Sequence, residues 1–136
     1  MKALLDTNVV LDALVDRGPF STAAQALVLA AGDERFEGYI TANTTTDVYY
    51  ILRKHIGKVQ ARESLIRLFS LFTVIAIDEQ DCRQALAVDV DDYEDALLVR
   101  CAQKAQLDAI VTRDEELLSS NLDIKFTRPA DFIAAL

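Results

Sequence analysis

The stretch ALLDTNVVLD, residues 3–12, passes from three apolar residues directly to a carboxylate, a hydroxyl and an amide. Three apolar residues suffice for a short buried strand of a parallel sheet, and polar residues of these types often begin the helix that follows. In open α/β sheets, ligands bind at the carboxyl ends of the strands. The stretch therefore predicts a strand that leads directly into Asp6, a position where such folds carry function.

Further apolar runs resemble this strand and alternate with helical patterns. The predicted strands cover residues 73–77 and 109–112, with weaker patterns over residues 36–40 and 124–126. Helices are predicted over residues 21–31, 44–55, 61–71 and 93–106. This alternation implies right-handed crossovers between parallel strands. We therefore predict an α/β fold, a three-layer α/β/α sandwich with a central, mainly parallel sheet of about five strands.

Composition indicates a soluble globular protein, because 51% of the 136 residues are hydrophobic and 26% are charged. We expect residues 1–136 to form one domain. Asp6 interrupts the first apolar run, so the beginning of the sequence lacks the long apolar core of a signal peptide or membrane span. Cys82 and Cys101 are isolated thiols without zinc-site spacing. These features predict a cytoplasmic protein with no membrane segment.

The formal net charge of −8 at first argues against a nucleic-acid partner. Phosphate binding usually depends on lysine and arginine, which release counterions from the nucleic acid. Acids gathered in one pocket alter this expectation, because bound divalent cations reverse the local sign and attract phosphate. The positions of the acids therefore decide more than their number.

Two acids are expected at the same edge of the sheet. Asp6 follows Leu4 and Leu5 directly, and Asp114 follows the predicted strand that ends at Thr112. Mg²⁺ prefers carboxylate oxygens and retained water, so both acids are candidate metal ligands, with Asn8 placed to orient Asp6. Capping of the next helix explains Asp6 equally well on local sequence alone.

Asp47 is a candidate because it, too, follows a predicted strand, the one that ends near Ile40. Thr44 lies three residues before Asp47, and this spacing also forms a variant capping box. The local sequence favours the capping explanation over metal binding. Only the expected location after a strand links Asp47 to Asp6.

The densest group of acids is the segment DVDDYEDAL, residues 89–97. Helix capping by Asp92 and a favourable first-turn charge at Asp95 would explain these two acids without any metal. However, apolar residues follow Asp95 directly, which predicts a partly buried carboxylate. Such a group is costly unless it is hydrogen-bonded or metal-bound. We therefore interpret Asp95 as a metal ligand and Asp92 as its support.

Together, three segments resemble the PIN-domain family, and within it the small VapC-like ribonuclease toxins of type II toxin–antitoxin systems. They are residues 4–8 (LLDTN), 92–97 (DYEDAL) and 110–114 (IVTRD). The resemblance implies that Asp6, Asp95 and Asp114 are metal-site acids, with Asn8 and Thr112 as polar support. It also matches Asp47 to a helix-borne acid that is commonly glutamate in such proteins, so the side chain here is one methylene shorter.

The resemblance implies an endoribonuclease that uses one or two Mg²⁺ ions, for which Mn²⁺ substitutes, with Asp6, Asp47, Asp95 and Asp114 as catalytic and metal residues. RNA phosphodiesters would be hydrolysed by metal-activated water, leaving a 5′-phosphate. A cognate antitoxin that covers the acidic pocket and a homodimer are the partners implied. Tyr49, Tyr50 and Phe69 could serve either interface, although the sequence favours core packing for each.

The basic residues would supply the substrate contacts. Arg53, Lys54, His55, Lys58 and Arg62 form the most concentrated group, which a solvated helix end also explains. The lone histidine lacks a convincing partner for a general base.

Two alternatives stay open at this point. A catalytically inactive PIN-like module would bind RNA or protein and use its acids as caps. A haloacid-dehalogenase-like phosphotransfer enzyme also places an aspartate after its first strand. It requires a second aspartate two residues later, where this chain has Asn8, and a partner lysine after a later strand.

Overall fold

Five parallel strands form a single sheet in the computed structural model, which describes residues 1–136. They are β1 (Lys2–Leu5), β2 (Glu37–Thr41), β3 (Phe72–Ile75), β4 (Ala109–Val111) and β5 (Lys125–Thr127). Their order is β3-β2-β1-β4-β5, so the chain winds outward from β1 in one direction and later returns to its other side. A crevice therefore opens at the carboxyl ends of β1 and β4, where the winding reverses.

Seven α-helices and one 3₁₀ turn connect the strands. The helices are α1 (Thr7–Leu14), α2 (Ser21–Gly32), α3 (Ala42–Leu71), α4 (Glu79–Ala85), α5 (Tyr93–Lys104), α6 (Glu115–Leu118) and α7 (Pro129–Ala134), and the 3₁₀ turn is Gly18–Phe20. None of the helices is both long and apolar enough to cross a membrane.

Helix α3 is broken once along its length. Gly57 has φ 82° and ψ 168°, values outside the helical region that glycine adopts without a steric penalty. The two helices predicted over residues 44–55 and 61–71 are therefore the two arms of this element. The Nδ1 atom of His55 lies 2.9 Å from the Ile51 carbonyl oxygen just before the break, which makes His55 a helix-end residue, as expected.

Apolar clusters cover both faces of the sheet, and this confirms the three-layer prediction. Successive residues of β1 point to opposite faces, so Leu5 packs with α1, α2, α3 and α7, while Leu4 packs with α5 and α6. Both leucines are at most 1% exposed. The continuous apolar runs of the sequence thus correspond to strands that are buried on both sides.

The sequence predictions differ from the structure mainly at element ends. Strand β3 was predicted over residues 73–77 but ends at Ile75, because its partner β2 ends at Thr41, directly opposite Ile75. Helices α4 and α7 were not predicted. Helix α4 is defined by a capping box between Asp78 and Asp81 that the apolar spacing does not reveal.

Candidate functional site

The junction between β1 and α1 places Asp6 beside the end of β4. The Asp6 backbone amide donates to the Val111 carbonyl oxygen (3.0 Å), and its Oδ2 accepts from Thr112 Oγ1 (2.8 Å). Asp6 occupies the N-cap position of α1, yet its side chain makes no capping hydrogen bond. The capping explanation for Asp6 is therefore wrong, and its carboxylate faces the next strand end instead.

The first turns of α3 bring Asp47 to the same place. The helix begins at Ala42, with Thr41 as N-cap, so Thr44 and Asp47 cannot form the capping box that the local sequence favours. Instead, Thr44 Oγ1 lies 2.8 Å from Thr7 Oγ1 and joins the start of α3 to the start of α1. Asp47 itself lines the crevice at the carboxyl ends of the central strands.

The beginning of α5 supplies the next group of acids. Asp92 caps the helix, with its Oδ1 accepting from the Asp95 backbone amide (3.1 Å). Asp95 is half-buried, whereas Asp92 and Glu94 are exposed. The partial burial expected for Asp95 is therefore present.

Asp114 caps the short helix α6. Its Oδ1 accepts from the backbone amides of Glu116 (2.9 Å) and Leu117 (3.2 Å), and its own amide donates to Thr112 Oγ1 (3.1 Å). Thr112 thus contacts both Asp6 and Asp114, and its side chain is fully buried. This threonine fixes the spacing of the two acids that follow the central strands.

These elements enclose an open cleft of about 410 Å³ at the carboxyl ends of β1 and β4. The four acids predicted to bind metal all line it, as do Asn8 and Asp92, whereas Thr112 lies behind it. Six of the eleven lining residues are acidic and none is basic; the acids are Asp6, Asp47, Asp92, Glu94, Asp95 and Asp114. The absence of lysine leaves the haloacid-dehalogenase-like alternative without its required partner.

The crowding of carboxylates alters their protonation. Burial, reinforced by the charges of Asp92, Asp6 and Asp114, raises the pKa of Asp95 to about 7. Burial also raises the pKa of Asp6, an effect that the hydrogen bond from Thr112 partly offsets. The pKa of Glu94 is raised by burial and by its proximity to Asp47. The cleft is therefore a region of uncompensated negative potential.

The donors of the cleft suit a hard divalent cation. No three acidic side chains converge tightly enough to enclose one ion. Mg²⁺ usually keeps several waters and takes only one or two carboxylates directly, so an open cleft of separated carboxylates matches its preferences. The pKa values of Asp6 and Asp95 are raised mainly by burial and further by neighbouring carboxylates, and a bound cation would stabilise the ionised form of both groups.

Sequence reasoning did not assign roles to several residues in or beside the cleft. Glu94 lines it within a segment that was already suspected, and the acid run was the available signal. Thr7 links two helix starts but resembles an ordinary capping residue in the sequence. The buried Asp12 was detectable as a lone acid within the apolar run of α1. The basic group of α3 is exposed and none of its members lines the cleft.

A parallel α/β/α fold with an acidic cleft beside its central strands defines the class of this protein. A model of the PIN domain matches residues 2–116, so the chain belongs to the PIN domain family. No curated protein sequence matches it.

Solved structures share the fold at low sequence identity. A toxin–antitoxin complex from Klebsiella pneumoniae matches with a TM-score of 0.71 and 22% identity, over 93% of this chain and 97% of that one. VapC20 from Mycobacterium tuberculosis, a sarcin–ricin loop cleaving toxin, matches with a TM-score of 0.69 and 12% identity, over 88% of this chain and 95% of that one. VapBC2 from Rickettsia felis, bound to a promoter DNA fragment, matches with a TM-score of 0.67 and 16% identity, over 94% of this chain and 98% of that one.

Proposed function

We propose that this protein is a metal-dependent endoribonuclease that uses Mg²⁺ or Mn²⁺. One observation carries the proposal: six carboxylates line one cleft at the carboxyl ends of the central strands, and no basic side chain lines it with them. An assembly of this kind is costly without a cation, because like charges in a partly desolvated site repel each other. Its location, where α/β folds bind ligands, supports a functional rather than a structural role.

In this proposal, Asp6, Asp95 and Asp114 hold one or two divalent ions. When bound, these ions neutralise phosphate, lower the pKa of water and stabilise the leaving oxygen. Thr112 holds the Asp6 carboxylate in place through its hydrogen bond (2.8 Å). Asp47 lies across the cleft on α3, where its short side chain suits a contact through water.

Asp92 and Asn8 support the site in different ways. Asp92 fixes the first turn of α5, which carries Asp95, by accepting the hydrogen bond from the Asp95 amide. Asn8 lines the cleft, and its Oδ1 accepts from Arg17 Nη1 (3.0 Å), so its amide group is held in one orientation. Both residues therefore orient groups at the cleft rather than carry the reaction.

RNA is the substrate that we propose, and we infer that the protein is the toxin of a toxin–antitoxin pair. The structurally similar VapC20 is described as a sarcin–ricin loop cleaving toxin, and another similar structure is a toxin–antitoxin complex. The cleft has the charge and location that such a cleavage requires.

An antitoxin and a second copy of the chain are the proposed protein partners. Large apolar side chains are exposed along α3, among them Tyr50 (60% exposed), Val59 (70%) and Phe69 (51%). The expectation of core packing is therefore wrong for Tyr50 and Phe69, whereas Tyr49 packs against the core. These exposed apolar side chains on α3 support a protein interface.

The decisive experiment is cleavage of a structured RNA by the purified protein, with Mn²⁺ or with EDTA. We expect the parent to cleave the RNA in Mn²⁺ and not in EDTA. The cleavage rate in Mn²⁺ should fall roughly a hundredfold or more in Asp6→Asn and Asp95→Asn. Asp123→Asn makes the same chemical change at an exposed site outside the cleft and is the matched control. Equal cleavage by all four proteins would refute the site.

A folded parent that binds RNA without cutting it would instead indicate the inactive binding module. For the toxin role, co-expression with the product of a neighbouring open reading frame should suppress cleavage. Unchanged cleavage in the presence of that product would count against an antitoxin pairing.

A further inference from the structure

A buried carboxylate lies outside the acidic cleft, on the neighbouring part of α1. Asp12 is 1% exposed and forms ion pairs with two arginines. Arg113 donates to it through Nε (2.7 Å) and Nη2 (3.3 Å), and Arg17 Nη1 lies 3.5 Å from its Oδ1. A buried ion pair is weak evidence for stability, because well-packed apolar residues often serve as well. Holding α1 against the end of β4 does not by itself require these charges.

Both arginines are connected to residues of the cleft. Arg113 directly precedes Asp114 in the chain, and Arg17 Nη1 donates to Asn8 Oδ1 (3.0 Å). Asn8 and Asp114 both line the cleft, whereas neither arginine does; Arg113 and Asp12 line a separate pocket together with Phe20 and Arg128. Asp12 is the common anchor of the pair.

Each arginine keeps unused hydrogen-bond donors. Arg113 uses Nε and Nη2, which leaves Nη1 free, and its Cζ lies 4.1 Å from the centre of the Phe20 ring. Arg17 uses Nη1, which leaves Nε and Nη2 free. Their side chains are 31% and 29% exposed, so solvent reaches both groups. A guanidinium held in one plane matches the paired oxygens of a phosphate.

An RNA strand at the cleft needs cations for the phosphates on either side of the one that is cleaved. The cleft lining supplies none, and the basic group of α3 is exposed without ion-pair anchors. We propose that Arg17 and Arg113 bind backbone phosphates of the RNA beside the cleft, and that Asp12 is the positioning residue that holds both. The proposal rests on the proposed function in taking RNA as the substrate.

The test measures binding separately from cleavage. A short fluorescein-labelled RNA hairpin is titrated with the protein in Ca²⁺, and the affinity is followed by anisotropy over a range of salt concentrations. We expect Arg17→Met and Arg113→Met each to weaken binding roughly tenfold and to make the salt slope shallower by roughly 0.7. Arg83→Met is the matched control, because Arg83 is a solvent-exposed arginine paired with Glu79 on α4.

Two further variants separate charge from positioning. Asp12→Asn and Arg113→Lys keep both positive charges but lose the anchored fork, so we expect weaker binding with the salt slope of the parent. If Asp12→Asn fails to fold, Arg17→Met still tests the proposal, since Asp12 remains paired with Arg113.

The proposal is overturned if Arg17→Met and Arg113→Met bind with the affinity and salt slope of Arg83→Met. Cleavage assays in Mn²⁺ separate this failure from failure of the proposed function. A parent that cuts RNA while all arginine variants bind normally refutes the phosphate contacts alone. A parent that never cuts, but binds through these arginines, supports the contacts and refutes catalysis.

Discussion

Replacing Asp95 by asparagine should stabilise the metal-free protein while it abolishes the proposed activity. The carboxylate is half-buried and faces other acids, and its pKa is raised to about 7 from an ordinary value of 3.8. For a fully buried group, such a difference corresponds to about 4 kcal/mol of unfavourable free energy in the ionised form. Solvent screens a half-buried group, so we expect the ionised carboxylate to cost roughly 2 kcal/mol of stability. Asp95→Asn removes this cost but also a favourable charge in the first turn of α5, so we expect the free energy of unfolding to increase by about 1.5 kcal/mol.

The sign of this effect depends on pH. The folded protein holds the Asp95 proton more tightly than the unfolded chain does, so the metal-free parent loses stability as the pH rises from about 4 to about 7. Asparagine carries no charge at any pH. The gain from Asp95→Asn should therefore be near zero at about pH 4 and fully developed above about pH 7.5.

Thermal unfolding in EDTA, followed by circular dichroism across this pH range, measures the effect. A gain of about 1.5 kcal/mol raises the Tm by roughly 5 °C for a chain of this length. Asp123→Asn, an exposed acid outside the cleft, should leave the Tm nearly unchanged. A gain that is absent, or independent of pH, would show that Asp95 does not experience the crowded cleft that the geometry describes.

Three further predictions concern the metal, the packing of the sheet and the buried acid Asp81 on α4. Mg²⁺ should raise the Tm of the parent, and EDTA should reverse this rise. The Tm of Asp6→Asn should rise less. If the parent and Asp6→Asn bind Mg²⁺ equally in a calorimetric titration, the metal site is contradicted. Gly38→Ala should lower the free energy of unfolding in urea by about 1–3 kcal/mol, because a Cβ there would overlap the Phe72 ring at Cδ1. A Gly32→Ala control meets only an ordinary contact at 3.6 Å, and equal stability of the two variants would exclude the clash. Asp81→Asn should cost about 2 kcal/mol near neutral pH, since the hydrogen bond from Lys104 lowers the Asp81 pKa to about 2. That stabilisation is present above about pH 4 and disappears as the pH falls towards 2, so a difference that persists in acid denaturation at pH 2 would rule out this cause.

The sequence predicted the sheet and the meeting of Asp6 with Asp114, because both features follow from local patterns and one topological rule. Asp6 directly follows an apolar run and Asp114 follows another after Thr112 and Arg113, and parallel strands bring their carboxyl ends to the same edge. Knowledge of distant contacts was not needed. The family match over residues 2–116 and the all-parallel sheet agree with this part of the reasoning.

Side-chain directions along helices could not be predicted in the same way. Whether Asp47 caps its helix or faces the cleft depends on where α3 begins, and α3 begins at Ala42, directly after β2, without a side-chain capping hydrogen bond. Similarly, Tyr50 and Phe69 belong to an apolar pattern that does not distinguish core from surface. Asp12 required the positions of Arg17 and Arg113, which lie on different elements.

The central place of β1 also determines when the site can exist during synthesis. This strand is translated before its two neighbours, yet the hydrogen bond that completes the Asp6 site comes from Thr112, 106 residues later. The nascent chain can pair β1 with β2 early, but the other edge of β1 stays open until β4 has left the ribosome. If the protein cleaves RNA as proposed, its site is complete only after the segment that carries Thr112 and Asp114 has emerged from the ribosome.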